Sequence, residues 1–283
     1  MAPWNDRSGR FSPLKAATFA GLFVPGLLVA YWLWSDQLGP LYIKEVIHRT
    51  GDWAVRFLLI TLTITPLARF TGWTKVIALR RMLGLATLAY ALAHFSLFIV
   101  DQSYDLRRVA VEIYLRIYLT IGFVTLLSLV ALGATSFDAA IRKLGKKWKM
   151  LHTAIYGIAV LAILHFFMQS KINVTEPTLM AGFYFLLMSY RIMIAYRISP
   201  TPLALVGAGA AAGLITAGAE MLWYGIATGI DPLSVLQANL ALPRVIRPAW
   251  IVVGVGLLVA VVVQFSRRSN PRGMRAAVAK TAS

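Results

Sequence analysis

Four histidines give this chain its metal-binding chemistry: His48, His94, His152 and His165. Three of them fall inside long apolar runs. His152 and His165 lie thirteen residues apart in LGKKWKMLHTAIYGIAVLAILHFFMQSK (144–171), and His94 lies thirteen residues after Arg81 in RRMLGLATLAYALAHF (80–95). An ionisable group within a membrane is costly and is usually there for a function. Two imidazoles that face each other across a helical bundle can supply both axial ligands of one haem iron. The competing reading of each is a packing residue, hydrogen-bonded to a neighbouring helix.

The elements that must position these side chains are membrane-spanning helices. The chain is 59% hydrophobic and 14% charged, with a mean hydropathy of +0.71. That is too apolar for an ordinary soluble domain. Its continuous apolar runs, each about 20 residues long, suit helices crossing a hydrocarbon core, and they lack the short alternating segments of an outer-membrane barrel. The expected fold is therefore an all-α polytopic transmembrane bundle of eight spans, at 16–34, 51–69, 79–100, 114–133, 150–169, 178–196, 203–225 and 248–265. The seventh, rich in small residues and ending near Glu220, is the weakest as a full span. The run 16–34 follows a basic start (Arg7, Arg10, Lys15) and reads as a retained first helix rather than a signal peptide. The expected organisation is an N-terminal segment 1–15, a ligand-binding bundle 16–196, additional helices 197–265 and a basic tail 266–283.

Charge sets the expected orientation. The net charge of +17 fits cytoplasmic loops better than nucleic acid, so no nucleic-acid partner is expected. The N-terminus, the loops at 69–81, 134–149 and 191–202, and the tail hold 19 of the 28 Lys and Arg. Most acids lie in the alternate loops. Both termini then face the cytoplasm. The tail is topological first and a lipid-headgroup binder second. There is no cysteine, which excludes disulfides, thiolate metal sites, iron–sulfur clusters and covalently attached haem.

Orientation converts the spacings to depths. At 1.5 Å per residue, His94 lies ~20 Å beyond Arg81, in the outer half of the third span, and His165 lies ~20 Å beyond His152 in the fifth. His94 and His165 thus share a depth on different helices, with His152 near the cytoplasmic face. On an ideal helix His152 and His165 point ~140° apart, which favours two distinct sites over one metal held by both. Two stacked haems would need a partner for His152 near position 81, where the chain has Arg80 and Arg81. These can bind a haem propionate, stand beside an unusually ligated iron, or anchor the helix as positive-inside residues. His48, in KEVIHRTGDW, is a candidate ligand or haem neighbour, or else an interfacial residue. Gly84, Ala91, Gly157 and Ala162 would let a porphyrin approach the backbone, or would pack helices. Trp53, Trp73 and Trp148 read as belt anchors.

The residues also carry a resemblance. ITPLAR (64–69), RRMLGL (80–85), the histidine in YALAHF (90–95), YLTIG (118–122), ATS (134–136), LGKKWKMLH (144–152) and the histidine in LAILHFFMQSK (161–171), with VIHRTGDWAVRFLLITLTITPLAR before them, resemble the MsrQ family. These are the haem-binding membrane subunits of the periplasmic methionine sulfoxide reductase system, grouped with the ferric-reductase-like transmembrane proteins. The match runs over roughly residues 40 to 195. The resemblance implies b-type haem, one or two, with His94, His152 and His165 at the ligand positions. It implies electron delivery, from quinone or a cytoplasmic flavin reductase, to a periplasmic molybdenum-cofactor subunit that repairs oxidised methionines, the two forming a heterodimer at the bacterial inner membrane. It associates the family with FMN as well; no Gly-rich dinucleotide fingerprint is present. Two departures stand out. The family commonly has Arg-Pro where this chain has Arg116-Ile117, and short members end soon after the sixth span, so residues 200–283 are additional.

The expected mechanism is electron transfer across the bilayer, entering near His152 and leaving on the His94–His165 side, with outer segments 101–113 and 170–177 as the docking edge. The chain is then an electron-transfer subunit and not the site where the substrate is reduced. A transporter without haem is the rival class, carried by eight spans and an intramembrane Glu220. A mononuclear non-haem iron or zinc enzyme is third, since His94 and His165 would need a third ligand at their depth.

Overall fold

The structure is a computed structural model that describes residues 2–6, 8–171, 173–241 and 246–269, with main chain alone for 267–269. Arg7, Arg244 and the basic tail past 269 lie outside the described residues. Among the described residues the regular elements are helices, and eight are long and apolar enough to cross a membrane. The expected all-α class with eight spans is what is found. The seventh span is a full helix, Pro202–Thr228, begun by a Thr201 cap and Pro202.

The chain forms two compact units, one of residues 1–61 with 78–166 and the other of 62–77 with 167–283. The first unit holds α1 (Pro13–Trp34), most of α2 (Tyr42–Thr71), α3 (Arg80–Asp101), α4 (Leu106–Leu115), α5 (Ile117–Ala134), α6 (Asp138–Leu144), α7 (Lys146–Thr153) and most of α8 (Ile155–Ser170). Leu129, Leu132 and Ile158 form a core against which Leu88, Ala91, Leu151 and Ile155 pack, tying α3, α5, α7 and α8 together. The second unit holds the end of α2, α9 (Thr175–Ala195), α10 (Pro202–Thr228), α11 (Pro232–Leu240) and α12 (Pro248–Ser269).

Three boundaries differ from the sequence expectation. Helix α2 begins at Tyr42, so His48 lies within it. The fourth span begins at Ile117 because Arg116 is extended (φ −113°, ψ 105°) and separates it from α4. The break that the family's Arg-Pro would produce therefore forms without proline. The fifth span carries a one-residue irregularity at Ala154, between His152 and His165, where the Ala154 N–H turns to the Leu151 carbonyl at 3.1 Å.

Two prolines open spanning helices, and in each case a neighbouring side chain repairs the damage. Pro25 lies inside α1. A proline ring weakens the hydrogen bonds just before it as well as removing its own. The Tyr90 hydroxyl bridges the opened pair, accepting from Gly26 N–H at 2.9 Å and donating to the Leu22 carbonyl at 2.8 Å. In the other unit, Pro66 cannot donate to the Leu62 carbonyl four residues earlier, and Arg191 Nη2 donates to it at 2.7 Å instead. Arg191, grouped with the 191–202 loop cations above, thus lies within α9 and reaches a main-chain acceptor. With no water in the hydrocarbon region, such groups need protein partners. Tyr90→Phe should cost about 1–3 kcal/mol by stranding both main-chain groups. Thermal unfolding in detergent reads this as a lowered midpoint, and an unchanged midpoint would mean that α1 closes its own ladder.

Candidate functional site

The four histidines and both arginines of interest lie in the first unit. His94, on α3, and His165, on α8, come together with ring centroids 6.3 Å apart and ring planes at 82°. Both rings are half-buried. Each uses Nδ1 in the same way. His94 Nδ1 lies 2.7 Å from the Ile47 carbonyl oxygen on α2, and His165 Nδ1 lies 2.8 Å from the Tyr118 carbonyl oxygen on α5. A carbonyl only accepts, so each Nδ1 carries the proton, and in a neutral imidazole Nε2 then keeps its lone pair. The result is a pair of Nε2 donors from two helices, each ring held by a third or fourth helix.

That arrangement suits a metal held between the rings. An imidazole nitrogen binds a metal at about 2 Å, which puts two opposed rings on one ion at centroid separations on the order of 6 Å, in line with the 6.3 Å observed. Among the described residues no group of three His, Asp or Glu side chains converges to hold a metal ion. Two imidazoles from facing helices could together hold a metal-bearing group such as a haem, which would supply the remaining ligands itself.

Backbone without side chains lies against both rings. A methyl group at Gly51 would sit 2.9 Å from His94 Nδ1, and one at Gly122 would sit 2.7 Å from His165 Cε1. Sequence reasoning missed these glycines. Of the two glycines expected to admit a porphyrin, Gly84 meets Thr61 at 3.9 Å and Gly157 faces open space. The overlooked signal lies in IHRTG (47–51) and YLTIG (118–122), which both place glycine four residues after the carbonyl that holds a histidine.

His152 lies on α7 with contacts of its own. Its ring is half-buried and stacked on Trp148, with centroids 4.1 Å apart and planes at 27°. Its Nδ1 lies 3.2 Å from the Trp148 carbonyl and its Nε2 lies 3.4 Å from Ser136 Oγ. Trp148, expected as a belt anchor, thus also covers one face of this histidine, while its indole donates to the Thr135 carbonyl at 2.9 Å. Of the two arginines, Arg81 pairs with Asp138 at 2.8 Å. His48 is exposed, and it is the main chain beside it, at Ile47, that reaches His94.

Known proteins resemble this chain over much of its length. The family model "Ferric reductase like transmembrane component" matches residues 50–163. A protein of Xanthomonas campestris pv. campestris (strain B100), named protein-methionine-sulfoxide reductase heme-binding subunit MsrQ, is 41% identical over 185 residues, covering 63% of this chain and 85% of its own length. Its namesake from Azospira oryzae is 35% identical over 193 residues, covering 67% and 83% respectively. No solved structure matches. With a relative this similar matched over most of its length, the chain belongs to the MsrQ family of ferric-reductase-like transmembrane proteins.

Proposed function

We propose that this protein is the haem-binding membrane subunit of a protein-methionine-sulfoxide reductase. It carries electrons to a periplasmic molybdenum-cofactor subunit that repairs oxidised methionines. The observation that carries this reading is the pair His94 and His165, brought together from α3 and α8 with each Nδ1 committed to a carbonyl. The same two residues occupy the ligand positions of the family resemblance, and the related proteins are named heme-binding subunits.

In this reading His94 and His165 hold one b-type haem in the outer half of the bundle over residues 16–196. His152 serves a second, inner site, with Arg80 and Arg81 as the candidate partners of a haem propionate. A bound haem supplies an iron that takes up and gives back one electron. The chain's residues do the rest. The carbonyls of Ile47 and Tyr118 fix both tautomers, the apolar helices exclude water, and Trp148 steadies His152. His48 stands at the outer edge of the first site. Both termini face the cytoplasm of a bacterial inner membrane, and segments 101–113 and 170–177 form the docking edge for the catalytic subunit. The quinone pool is the first choice of donor, with a cytoplasmic flavin reductase as the other route and FMN as a further cofactor.

The test is a dithionite-reduced minus oxidised absorption spectrum of protein made under haem-replete conditions and purified in detergent. Sharp b-type bands are expected. A colourless protein would overturn the reading and bring forward a transporter, for which Glu220, buried within α10, is the favouring observation.

A further inference from the structure

We propose that Gly51 and Gly122 are positioning residues for the two outer histidines, each forming, with the carbonyl one helical turn before it, a seat that fixes the imidazole's tautomer, depth and rotation. The inference rests on His94 and His165 being the haem ligands.

The two seats are built alike on different helices. In an α-helix the carbonyl of residue i and the residue at i+4 lie one above the other on the same face. On α2 this brings the Ile47 carbonyl beside Gly51, and on α5 it brings the Tyr118 carbonyl beside Gly122. An imidazole that donates Nδ1–H to the carbonyl must lie across the i+4 position. There any Cβ would collide with it. At Gly51 the methyl carbon would meet His94 Nδ1 at 2.9 Å and Cε1 at 3.0 Å; at Gly122 it would meet His165 Cε1 at 2.7 Å, Nδ1 at 2.8 Å and Nε2 at 3.1 Å. Separations under 3.0 Å are closer than a Cβ tolerates, so the ring has to move. Moving the ring lengthens the Nδ1 hydrogen bond and re-aims Nε2.

The seats differ in one respect, and it sets an order of effects. At Gly51 the intruding methyl meets the Nδ1–Cε1 edge, away from the coordinating nitrogen. At Gly122 it also crowds Nε2. Gly122→Ala should therefore disturb the iron more than Gly51→Ala. A partner that orients a metal-bound histidine is typically worth about 10- to 100-fold in affinity. Weakening the Nδ1 bond also makes the imidazole a poorer electron donor, so the reduced iron is favoured and the midpoint potential rises.

The experiment compares wild type, Gly51→Ala, Gly122→Ala and Gly207→Ala. The last is a control on α10, in the other compact unit, at a glycine facing open space. Haem loss to an apo-globin scavenger, the low-spin ferric EPR signal and the midpoint potential are read for each. Expected are haem loss about 10- to 100-fold faster in Gly122→Ala, a smaller acceleration in Gly51→Ala, altered g values and raised potentials in both, and wild-type behaviour in Gly207→Ala. If Gly51→Ala and Gly122→Ala match Gly207→Ala while His94→Ala/His165→Ala loses the haem bands, the positioning role falls and the ligand assignment stands. If the histidine double variant keeps its bands, the ligand assignment itself falls. A second measurement needs no glycine variant. In haem-free wild type, solid-state NMR of 15N-labelled histidine should show His94 and His165 protonated at Nδ1. The Nε2–H tautomer at both would overturn the seats.

Discussion

His94→Ala/His165→Ala protein should lose the whole outer b-type signal, the largest effect expected of any substitution in this chain. Removing the Nδ1 partner of a ligating histidine costs about 10- to 100-fold in metal affinity, and under the proposed ligand assignment deleting both imidazoles would remove both bonds to iron. Each single variant leaves one Nε2 donor, so His94→Ala and His165→Ala should retain part of their haem in a five-coordinate, high-spin form. The residual reduced-minus-oxidised amplitude of the double variant is informative. About half of the wild-type signal, removed in turn by His152→Ala, indicates an inner haem on the Trp148-stacked histidine. No residual signal indicates one haem per chain. His48→Ala should keep the full spectrum, because the His48 side chain is exposed while its neighbour's carbonyl makes the contact. Full bands in the double variant would remove the basis for reading this pair as axial ligands.

The fold was legible because its signal is long and repeated. Runs of about 20 apolar residues can satisfy their backbone in a membrane only as helices, and all eight were readable. The histidine pair was legible for a related reason, since helical rise turns sequence spacing into depth, and depth put His94 and His165 on one level. What escaped was carried by the main chain. The Ile47 and Tyr118 carbonyls have no residue-type signature, and a glycine in an apolar helix usually signals helix packing. The start of α2 was placed late because Lys44, Glu45, Arg49 and Asp52 make its first turns look like a loop, although Arg49 pairs with Glu45 at 2.8 Å along the helix. The break at Arg116 has no proline to announce it. It is held instead by the Glu112–Arg116 ion pair at 2.5 Å and by Thr120 Oγ1 donating to the Ile113 carbonyl at 2.6 Å, both local contacts that no composition rule anticipates. Arg191 looked like a positive-inside cation because of its place in sequence, and only its reach to the carbonyl orphaned by Pro66 reveals the second role.

The additional C-terminal helices supply the second large prediction. Helices α10 and α12 approach backbone to backbone at Gly209 and Gly256. A methyl group on Gly256 would lie 2.7 Å from Gly209 Cα, and one on Gly209 would lie 3.1 Å from Gly256 Cα. Beside them Gly213 meets Val253 and the Ala249 carbonyl, so the seam continues along the same face. Helices within lipid gain little from hydrophobic burial against one another, and such close approach supplies dispersion contacts in its place. Gly256→Leu puts four carbons where main chain already lies, and the helices must part. Overpacking of this kind costs typically 1–3 kcal/mol, and it should lower the thermal midpoint in detergent. Gly254→Leu is the matched control, on the same helix but facing open space, and replacing glycine by leucine there should stabilise the helix by its propensity alone, about 1 kcal/mol at most. The histidine pair lies wholly within the other compact unit, so both variants should keep wild-type haem bands at temperatures below unfolding. A Gly256→Leu protein of unchanged stability that has lost its haem would instead make residues 197–265 part of the cofactor site. Unchanged stability with the bands intact would mean that the α10–α12 seam is not what holds the C-terminal unit together.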